Sequence, residues 1–315
     1  MTKQFKNDVN IGLSSSPKFL SSKYFYDKIG DELFVEIMNI PEYYLTRAEF
    51  EIFNKKTSDL IDSFEIDENE KFQLLELGAG DGTKTKELLK VLVSQGYDFE
   101  YVPIDISQNT LDKLESSLEK EIPTLSVTQK QGDYFEVLSS FKEVKTRKIV
   151  LFLGSNIGNL TDELSSKFLY ELGGNLNEND RLLLGVDLIK PVDIVLPAYN
   201  DKQGITAKFN LNLLTRINSE LSANFNLSNF KHQPEYTIEE GIAKSFIVST
   251  EKQTVEIKSI KKTFSFDKEE RIHTEISRKY NDSIINKIIE NTDFTIENKI
   301  LDSKEYFADY ILKKN

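Results

Sequence analysis

The stretch LLELGAGDGTKT, residues 74–85, decides the fold of this chain of 315 residues. An apolar run, FQLLELG, leads into it and ends in glycine, and the following TKTKELLKVLVSQG has the apolar spacing of a helix. The three glycines of the stretch are therefore expected in a tight turn between a buried strand and a helix. Such a turn brings backbone N–H groups close to a ligand, so the stretch predicts a ligand site at the carboxyl end of the strand.

Strands and helices alternate on both sides of this turn. Further strand-like runs, separated by helical patterns, are FEYVPIDIS, LSVTQKQGDYF, RKIVLFLGSNIGN and DRLLLGVDLIK. Their near-continuous apolar character indicates a parallel sheet that is covered on both faces. Beyond about residue 200 the alternation ends: residues 204–225 are predicted helical, residues 243–280 an antiparallel meander, and FTIENKILD with YFADYILKK a closing hairpin. The predicted fold class is α/β, a Rossmann-like parallel sheet with an antiparallel C-terminal hairpin, plus a second α+β domain.

Residues 1–62 are expected to form a surface segment followed by two helices. Residues 1–22 are polar and rich in serine, which predicts a loop or an arm on the surface. The segment DELFVEIMNI, residues 31–40, has helical spacing, and another helix is predicted over residues 46–62. Thr46 and Glu49 have the spacing of a capping box at the start of that second helix.

Composition excludes several classes of function. The formal net charge of −12 disfavours a nucleic-acid surface, because binding phosphates requires clustered Lys and Arg. The chain has no cysteine and only two histidines, His232 and His273, which have no ligand-like spacing, so no metal site is expected. We find neither a signal-peptide pattern nor a run of roughly 18 apolar residues that would cross a membrane. A cytoplasmic monomer is expected.

The glycine pattern distinguishes between two kinds of nucleotide site. A dinucleotide-binding G-x-G-x-x-G motif would need glycine at position 83, where this chain has Thr83. The spacing of Gly78, Gly80 and Gly82, preceded by Glu76, instead resembles motif I of the class I S-adenosylmethionine-dependent methyltransferases. That resemblance implies that the glycines make room for the methionine and ribose portions of S-adenosyl-L-methionine.

Polar residues at the next two strand ends suit the same cofactor. Asp105, in YVPIDIS, stands where an acidic residue would receive two ribose hydroxyls in a bidentate contact. Asp133 and Tyr134, in QGDYF, stand where methyltransferases commonly recognise adenine. Each could be an ordinary surface residue when taken alone, but their order at successive strand ends favours a cofactor site.

Four separated stretches sharpen the resemblance: KYFYDKIGDELFVEIMNIPEYYLTRAE, LFLGSNIGNL, PAYNDKQGITAKFNLNLL and RIHTEISRKY. In this order they resemble the histidine Nα-methyltransferase family of ergothioneine biosynthesis, which also contains dimethylallyltryptophan N-methyltransferases. The resemblance extends from about residue 11 to 313. It implies a cofactor-binding domain of residues 60–200 and 287–315, and a substrate-binding domain of residues 1–59 and 201–286.

The resemblance also implies roles for individual residues at the reacting centre. Tyr43 matches a tyrosine that contacts the substrate imidazole, and Tyr26 matches one near the amine, where its hydroxyl could relay a proton as the catalytic residue. Gly154 begins the loop where cofactor and substrate meet. The family commonly has proline where this chain has Leu45, and a methionine near the imidazole pocket is replaced around Ile257.

Further matches concern the two ends of a histidine substrate. Asn159, in GSNIGN, and Tyr199, in AYND, match the pair that holds the α-carboxylate. Glu275 and Ser277, in RIHTEISRKY, match the pair that binds the imidazole ring, whereas the adjacent His273 is expected to be structural.

The sequence therefore predicts an N-methyltransferase that acts on the α-amine of L-histidine and forms the trimethyl betaine hercynine. Two alternatives remain open: methylation of another amino acid or a tryptophan derivative, and a protein that binds S-adenosylmethionine without catalysis. Glu275 and Ser277 favour histidine over an indole, while the glycine loop with Asp105 indicates cofactor binding only.

Overall fold

The structure, a computed structural model, describes residues 3–67 and 70–315. The chain forms two compact units, each built from two segments. We call Leu45–Ile189 with Arg278–Asn315 the sheet unit, and Met1–Tyr44 with Lys190–Ser277 the second unit. Among the described residues, no helix combines the length and the apolar character needed to cross a bilayer.

Helices and strands are numbered in chain order. The helices are α1 Lys3–Ser14, α2 Lys28–Asn39, α3 Leu45–Lys55, α4 Thr57–Ser63, α5 Thr85–Ser94, α6 Gln108–Glu121, α7 Tyr134–Ser139, α8 Asp162–Gly173, α9 Val192–Tyr199, α10 Ile205–Leu221 and α11 Asp282–Ile289. The strands are β1 Lys18–Phe19, β2 Phe72–Leu77, β3 Phe99–Asp105, β4 Ser126–Val127, β5 Lys130–Gln131, β6 Arg147–Phe152, β7 Arg181–Asp187, β8 Phe230–Thr237, β9 Ile242–Ser249, β10 Gln253–Ile257, β11 Lys262–Phe266, β12 Arg271–Arg278, β13 Phe294–Leu301 and β14 Phe307–Lys314.

The sheet unit is built on one sheet in the order β13-β14-β7-β6-β2-β3-β4, with β5 also paired to β3. Strand β2 lies parallel to β3 on one side and to β6 on the other, so Leu75 faces both Val102 and Val150 in the ladders. The strands β13 and β14 form an antiparallel hairpin that joins β7. This topology confirms the predicted fold class, a parallel α/β sheet with an antiparallel C-terminal hairpin.

Helices cover both faces of this sheet, which explains why its strands are apolar throughout. Successive side chains of a strand point to opposite faces. Leu74 is accordingly buried in the core that includes Leu88 of α5, whereas Leu75 is buried in the core that includes Leu169 of α8. Fully burying one such leucine contributes about 1.5–3 kcal/mol, so the two cores fix the strand ends that carry the candidate site.

The second unit contains a sheet in the order β1-β12-β9-β8 and a separate hairpin of β10 and β11. The predicted meander is therefore interrupted, because β12 pairs next to β9 and leaves β10 and β11 outside that sheet. The prediction of a surface loop or arm over residues 1–22 is wrong for Lys3–Ser14, which form helix α1. Its Phe5, Val9 and Leu13 recur every four residues and are buried in one core with Leu213 of α10.

The chain passes from one unit to the other after Tyr44, Ile189 and Ser277. Residues 45–59 were predicted in the substrate-binding domain, but Ile52 and Phe53 of α3 are buried in the sheet unit's core. The division into a cofactor-binding and a substrate-binding domain stays a prediction. The capping-box interpretation is wrong, because α3 begins at Leu45 and Thr46 already lies within its first turn.

Candidate active site

The glycine turn after β2 is left-handed at each of its three glycines. The φ angles are +72° at Gly78, +57° at Gly80 and +68° at Gly82, a region that residues with a β-carbon rarely adopt. A β-carbon at Gly78 would lie 2.8 Å from the hydroxyl of Tyr134, whereas one at Gly80 would meet no atom within 4 Å. The turn therefore presents open backbone, which suits a ligand that approaches closely.

Glu76 lies buried beneath this turn. Its Oε1 accepts a hydrogen bond from Thr85 Oγ1 at 2.7 Å, and its Oε2 accepts one from the hydroxyl of Tyr101 at 2.5 Å. Desolvation raises the pKa of Glu76 to about 7, although both hydrogen bonds oppose the rise. Burial also raises the pKa of Tyr101, which keeps its hydroxyl protonated as the donor. Glu76 thus joins the strand end to the first turn of α5.

Asp105 and Tyr134 lie at the same edge of the sheet. Asp105 ends β3, is half-buried, and its Oδ1 accepts from the backbone N–H of Ser107 at 2.9 Å. Desolvation, followed by the charges of Asp105 and Asp133, raises the pKa of Tyr134 to about 12. Asp133 is exposed and caps α7 by accepting from the backbone N–H of Phe135 at 2.9 Å. The structure thereby brings Glu76, Gly78, Asp105 and Tyr134 to one edge of the sheet, and their role in cofactor binding stays a prediction.

A second loop follows β6 at the same edge. Gly154 has a φ of +74°, and its N–H lies 2.9 and 3.0 Å from the two carboxylate oxygens of Glu49. A β-carbon at Gly154 would lie 3.7 Å from both Lys84 Nζ and Asn156 Nδ2. Since β2 and β6 are neighbours in the sheet, the loops that follow them flank one region at the carboxyl ends of the strands.

In the second unit, the structure brings Tyr199 and Ser277 together. Both are buried, and the hydroxyl of Tyr199 donates to Ser277 Oγ at 2.8 Å. The backbone carbonyl of Tyr199, at the end of α9, lies 2.9 Å from Nε2 of His232. Burial lowers the pKa of His232, so the neutral ring donates through Nε2 and holds the end of this helix.

Tyr26 belongs to an aromatic group in the same unit. Its ring meets Phe34 edge-on at 5.6 Å and Phe209 at 5.8 Å, and Phe34 meets Tyr43 edge-on at 6.4 Å. The pKa of Tyr26 is raised by desolvation and then by the negative charges of Glu275 and Asp31. Its hydroxyl is therefore protonated at neutral pH and lies within electrostatic reach of the Glu275 carboxylate.

Burial alternates along the first five residues of strand β12. Ile272 and Thr274 are buried, and Thr274 donates to Asn210 Oδ1 or to the carbonyl of Ser245, each at 3.0 Å. His273 and Glu275 are half-buried on the opposite side, and the ring of His273 lies 5.3 Å from that of Phe246. Packing against Phe246 is consistent with the structural role that the sequence predicts for His273.

Asn159 belongs to the sheet unit, apart in the chain from the other predicted substrate residues. It ends the 3₁₀ turn Asn156–Asn159 and is exposed. The structure thus places the predicted cofactor residues in the sheet unit, and Tyr26, Tyr43, Tyr199, Glu275 and Ser277 in the second unit.

The comparison with protein families decides the membership of this chain. A family model described as "Histidine-specific methyltransferase, SAM-dependent" matches residues 5–314. The chain belongs to this family.

Curated members of this histidine-specific methyltransferase family are similar over most of the chain. The histidine N-alpha-methyltransferase of Mycobacterium tuberculosis is 36% identical over 275 residues, covering 87% of this chain and 84% of the relative. The enzyme of the same name from Mycolicibacterium smegmatis is 34% identical with the same coverage. Ergothioneine biosynthesis protein 1 of Schizosaccharomyces pombe is 30% identical over 302 residues, which span 94% of this chain but only 39% of that protein. The predicted resemblance is confirmed.

Sequence reasoning missed three residues of the candidate site in the sheet unit. Lys84 lies inside the quoted glycine stretch, and Asn156 lies in the quoted LFLGSNIGNL, so both carried a signal through position alone. Glu49 was instead interpreted as part of a local capping pattern. Its contact with Gly154 spans 105 residues, and local spacing contains no information on such a contact.

Proposed function

We propose that this chain is an S-adenosylmethionine-dependent N-methyltransferase that methylates the α-amine of L-histidine and forms its trimethyl betaine, hercynine. The family match over residues 5–314 is the observation that carries the proposal. Relatives at 34–36% identity are named for the same activity, which favours it over the alternatives. The geometry of the sheet unit supports the cofactor, and the residues of the second unit support the substrate.

The residues at the sheet edge fit S-adenosylmethionine. Open backbone at Gly80 allows a ligand to approach the turn closely, and the hydroxyl of Tyr134 lies next to the turn at Gly78. We assign Asp105 to the ribose hydroxyls, since a carboxylate at a strand end can accept two hydrogen bonds at once. Asp133 and Tyr134 are assigned to the adenine, and Gly78, Gly82 and Gly154 to the methionine portion. When bound, the cofactor supplies an electrophilic methyl group on its sulfonium.

Glu275, Ser277 and Tyr199 are proposed to recognise the substrate. A carboxylate and a hydroxyl on one strand can accept from and donate to the two nitrogens of an imidazole ring. A ring without nitrogen donors would leave the half-buried Glu275 without that bond, at a cost on the order of 1–3 kcal/mol. The Tyr199–Ser277 hydrogen bond fixes both hydroxyls before substrate arrives. Tyr43 is assigned to the ring as well. The role of Asn159 at the carboxylate stays a prediction from the resemblance.

Tyr26 is proposed to relay the proton that the substrate amine must lose. Only the free-base amine carries a lone pair for attack on the methyl group. The phenol of Tyr26, which is 45% exposed, can accept a proton from the ammonium while it passes its own proton to solvent water, so that it stays neutral overall. Holding the reacting groups in line adds to this, and well-oriented reactants can gain as much as about 7–11 kcal/mol.

The proposal is tested by incubating the protein with S-adenosylmethionine and each proteinogenic amino acid separately, and following the mass of the amino acid. We expect methyl groups on histidine alone. A gain on tryptophan or another amino acid, without histidine, would replace the substrate and keep the class. If no amino acid gains mass while the protein binds the cofactor, the non-catalytic alternative holds.

A further inference from the structure

Three buried carboxyl groups surround one ammonium group in the sheet unit. Glu49 of α3 and Asp309 of β14 are each 0% exposed, and Glu76 of β2 is 3% exposed. Desolvation acts to lower the pKa of Lys84, but the charge and the hydrogen bond of Glu49, and then the charge of Glu76, raise it overall. Ion pairs buried to this degree are a weak source of stability, so their arrangement calls for a functional explanation.

Glu49 connects the two loops at the carboxyl edge of the sheet. Its carboxylate forms an ion pair with Lys84, which follows the glycine turn after β2, and accepts from the N–H of Gly154, which follows β6. One buried anion on a third element thereby determines the separation of these loops. Helix α3 is itself anchored, because Ile52 and Phe53 lie in the sheet unit's core.

Asp309 is a buried neighbour of Glu49, but its carboxyl group differs from that of Glu49 in its hydrogen bonding and its pKa. Neither of its side-chain oxygens has a hydrogen-bond partner among the described residues. Burial, and then the charge of Glu49, raise the pKa of Asp309 well above its usual range, which favours its protonated, uncharged form. Gly185 of β7 makes this packing possible, because a β-carbon there would collide with Glu49 and lie 3.0 Å from Asp309 Oδ1.

We propose that Glu49 is a positioning residue for cofactor binding. A single negative charge at Glu49 holds Lys84 and the Gly154 loop in the geometry that accepts the methionine portion of the cofactor. A second charge at Asp309 would repel Glu49 and loosen both contacts. The inference rests on the proposed assignment of the glycine turn and Gly154 to the cofactor.

The test is the Glu49→Gln variant of the full chain, titrated calorimetrically with S-adenosylhomocysteine. Glutamine keeps the size of the side chain and an acceptor for Gly154, but it removes the charge that holds Lys84. We expect the Kd to rise at least tenfold and the KM for S-adenosylmethionine to rise in parallel, with the KM for histidine within twofold of wild type. Glu100→Gln is the matched control, since Glu100 accepts from Gln73 and Thr128 elsewhere on the sheet.

A Kd for Glu49→Gln within twofold of wild type would overturn the inference. If that variant does not fold, Glu49→Asp keeps the charge and shortens the side chain. The same rise in Kd for Glu49→Asp supports the proposal, and an unchanged Kd overturns it.

Asp309→Asn mimics a protonated carboxyl group, so we expect its urea midpoint to match or exceed that of wild type at alkaline pH. A lower midpoint would contradict an uncharged Asp309. Absence of cofactor binding by the wild type would refute the proposed function itself.

Discussion

Replacing Glu76 by glutamine should remove a pH-dependent loss of stability. Glu76 is buried, and its pKa is raised from the ordinary value of 4.5 to about 7. An acid with a raised pKa in the folded state contributes its stability fully below the unfolded pKa and loses it as the pH rises through the folded pKa. The wild type should therefore weaken between pH 4.5 and about pH 7 through this residue. Glutamine cannot ionise and keeps an oxygen for Thr85 or Tyr101.

The size of the effect follows from the two pKa values. Since one pKa unit corresponds to about 1.4 kcal/mol, the rise to about 7 amounts to about 3 kcal/mol over the full range. Between about pH 5 and about pH 8 the proton linkage gives about 2–3 kcal/mol, because part of the loss lies below pH 5. Desolvation is the main cause, so no surface screening reduces this value.

The assay is urea denaturation of both proteins at about pH 5 and about pH 8. We expect the free energy of unfolding of Glu76→Gln, relative to wild type, to increase by about 2–3 kcal/mol between the two pH values. Glu100→Gln serves as the control, because hydrogen bonds from Thr128 and Gln73 lower the pKa of Glu100 and keep it ionised throughout this window. A difference between Glu76→Gln and wild type that does not change with pH would refute the reasoning.

Two further predictions concern the second unit. Tyr26→Phe should lower the methylation rate by at least about tenfold, since a lost proton relay commonly lowers rates by two to four orders of magnitude; steady-state kinetics measures this, with Tyr24→Phe as the control because its hydroxyl donates to Asp8. Full activity of Tyr26→Phe at every pH would remove the relay. Glu275→Gln should raise the KM for histidine about tenfold or more without changing the cofactor Kd. An unchanged histidine KM, equal to that of the control Glu235→Gln, would mean that Glu275 does not bind the ring.

Local patterns were sufficient to predict the parallel sheet and its C-terminal hairpin. The burial of a parallel strand can be predicted from its own sequence, because a strand that is covered on both faces needs apolar residues on both faces. Helix α1 was missed although Phe5, Val9 and Leu13 have helical spacing. The polar residues between them favoured a surface arm, and only the contact with α10 shows where their apolar side is buried.

The electrostatics of the site could not be obtained from the sequence. Residues 76, 78, 80 and 82 were predicted from their resemblance to a methyltransferase motif, but the raised pKa of Glu76 comes from its burial in the fold. Its hydrogen bond from Tyr101 joins residues 25 apart in the chain. Glu49 is a stronger example, since its partner Gly154 is 105 residues away. Its spacing from Thr46 matched a local motif, and tertiary contacts determined its actual partner. Contacts between side chains that are far apart in the sequence can be identified only once the fold is known.

The central claim, that the α-amine of histidine is the methyl acceptor, is tested most directly by locating the added methyl groups. Histidine should be incubated with the protein and an excess of S-adenosylmethionine, and the product fragmented by tandem mass spectrometry. The account predicts three methyl groups, all on the α-nitrogen, and an unmodified imidazole ring. Methyl groups on the ring nitrogens, or no methylated histidine at all, would contradict it.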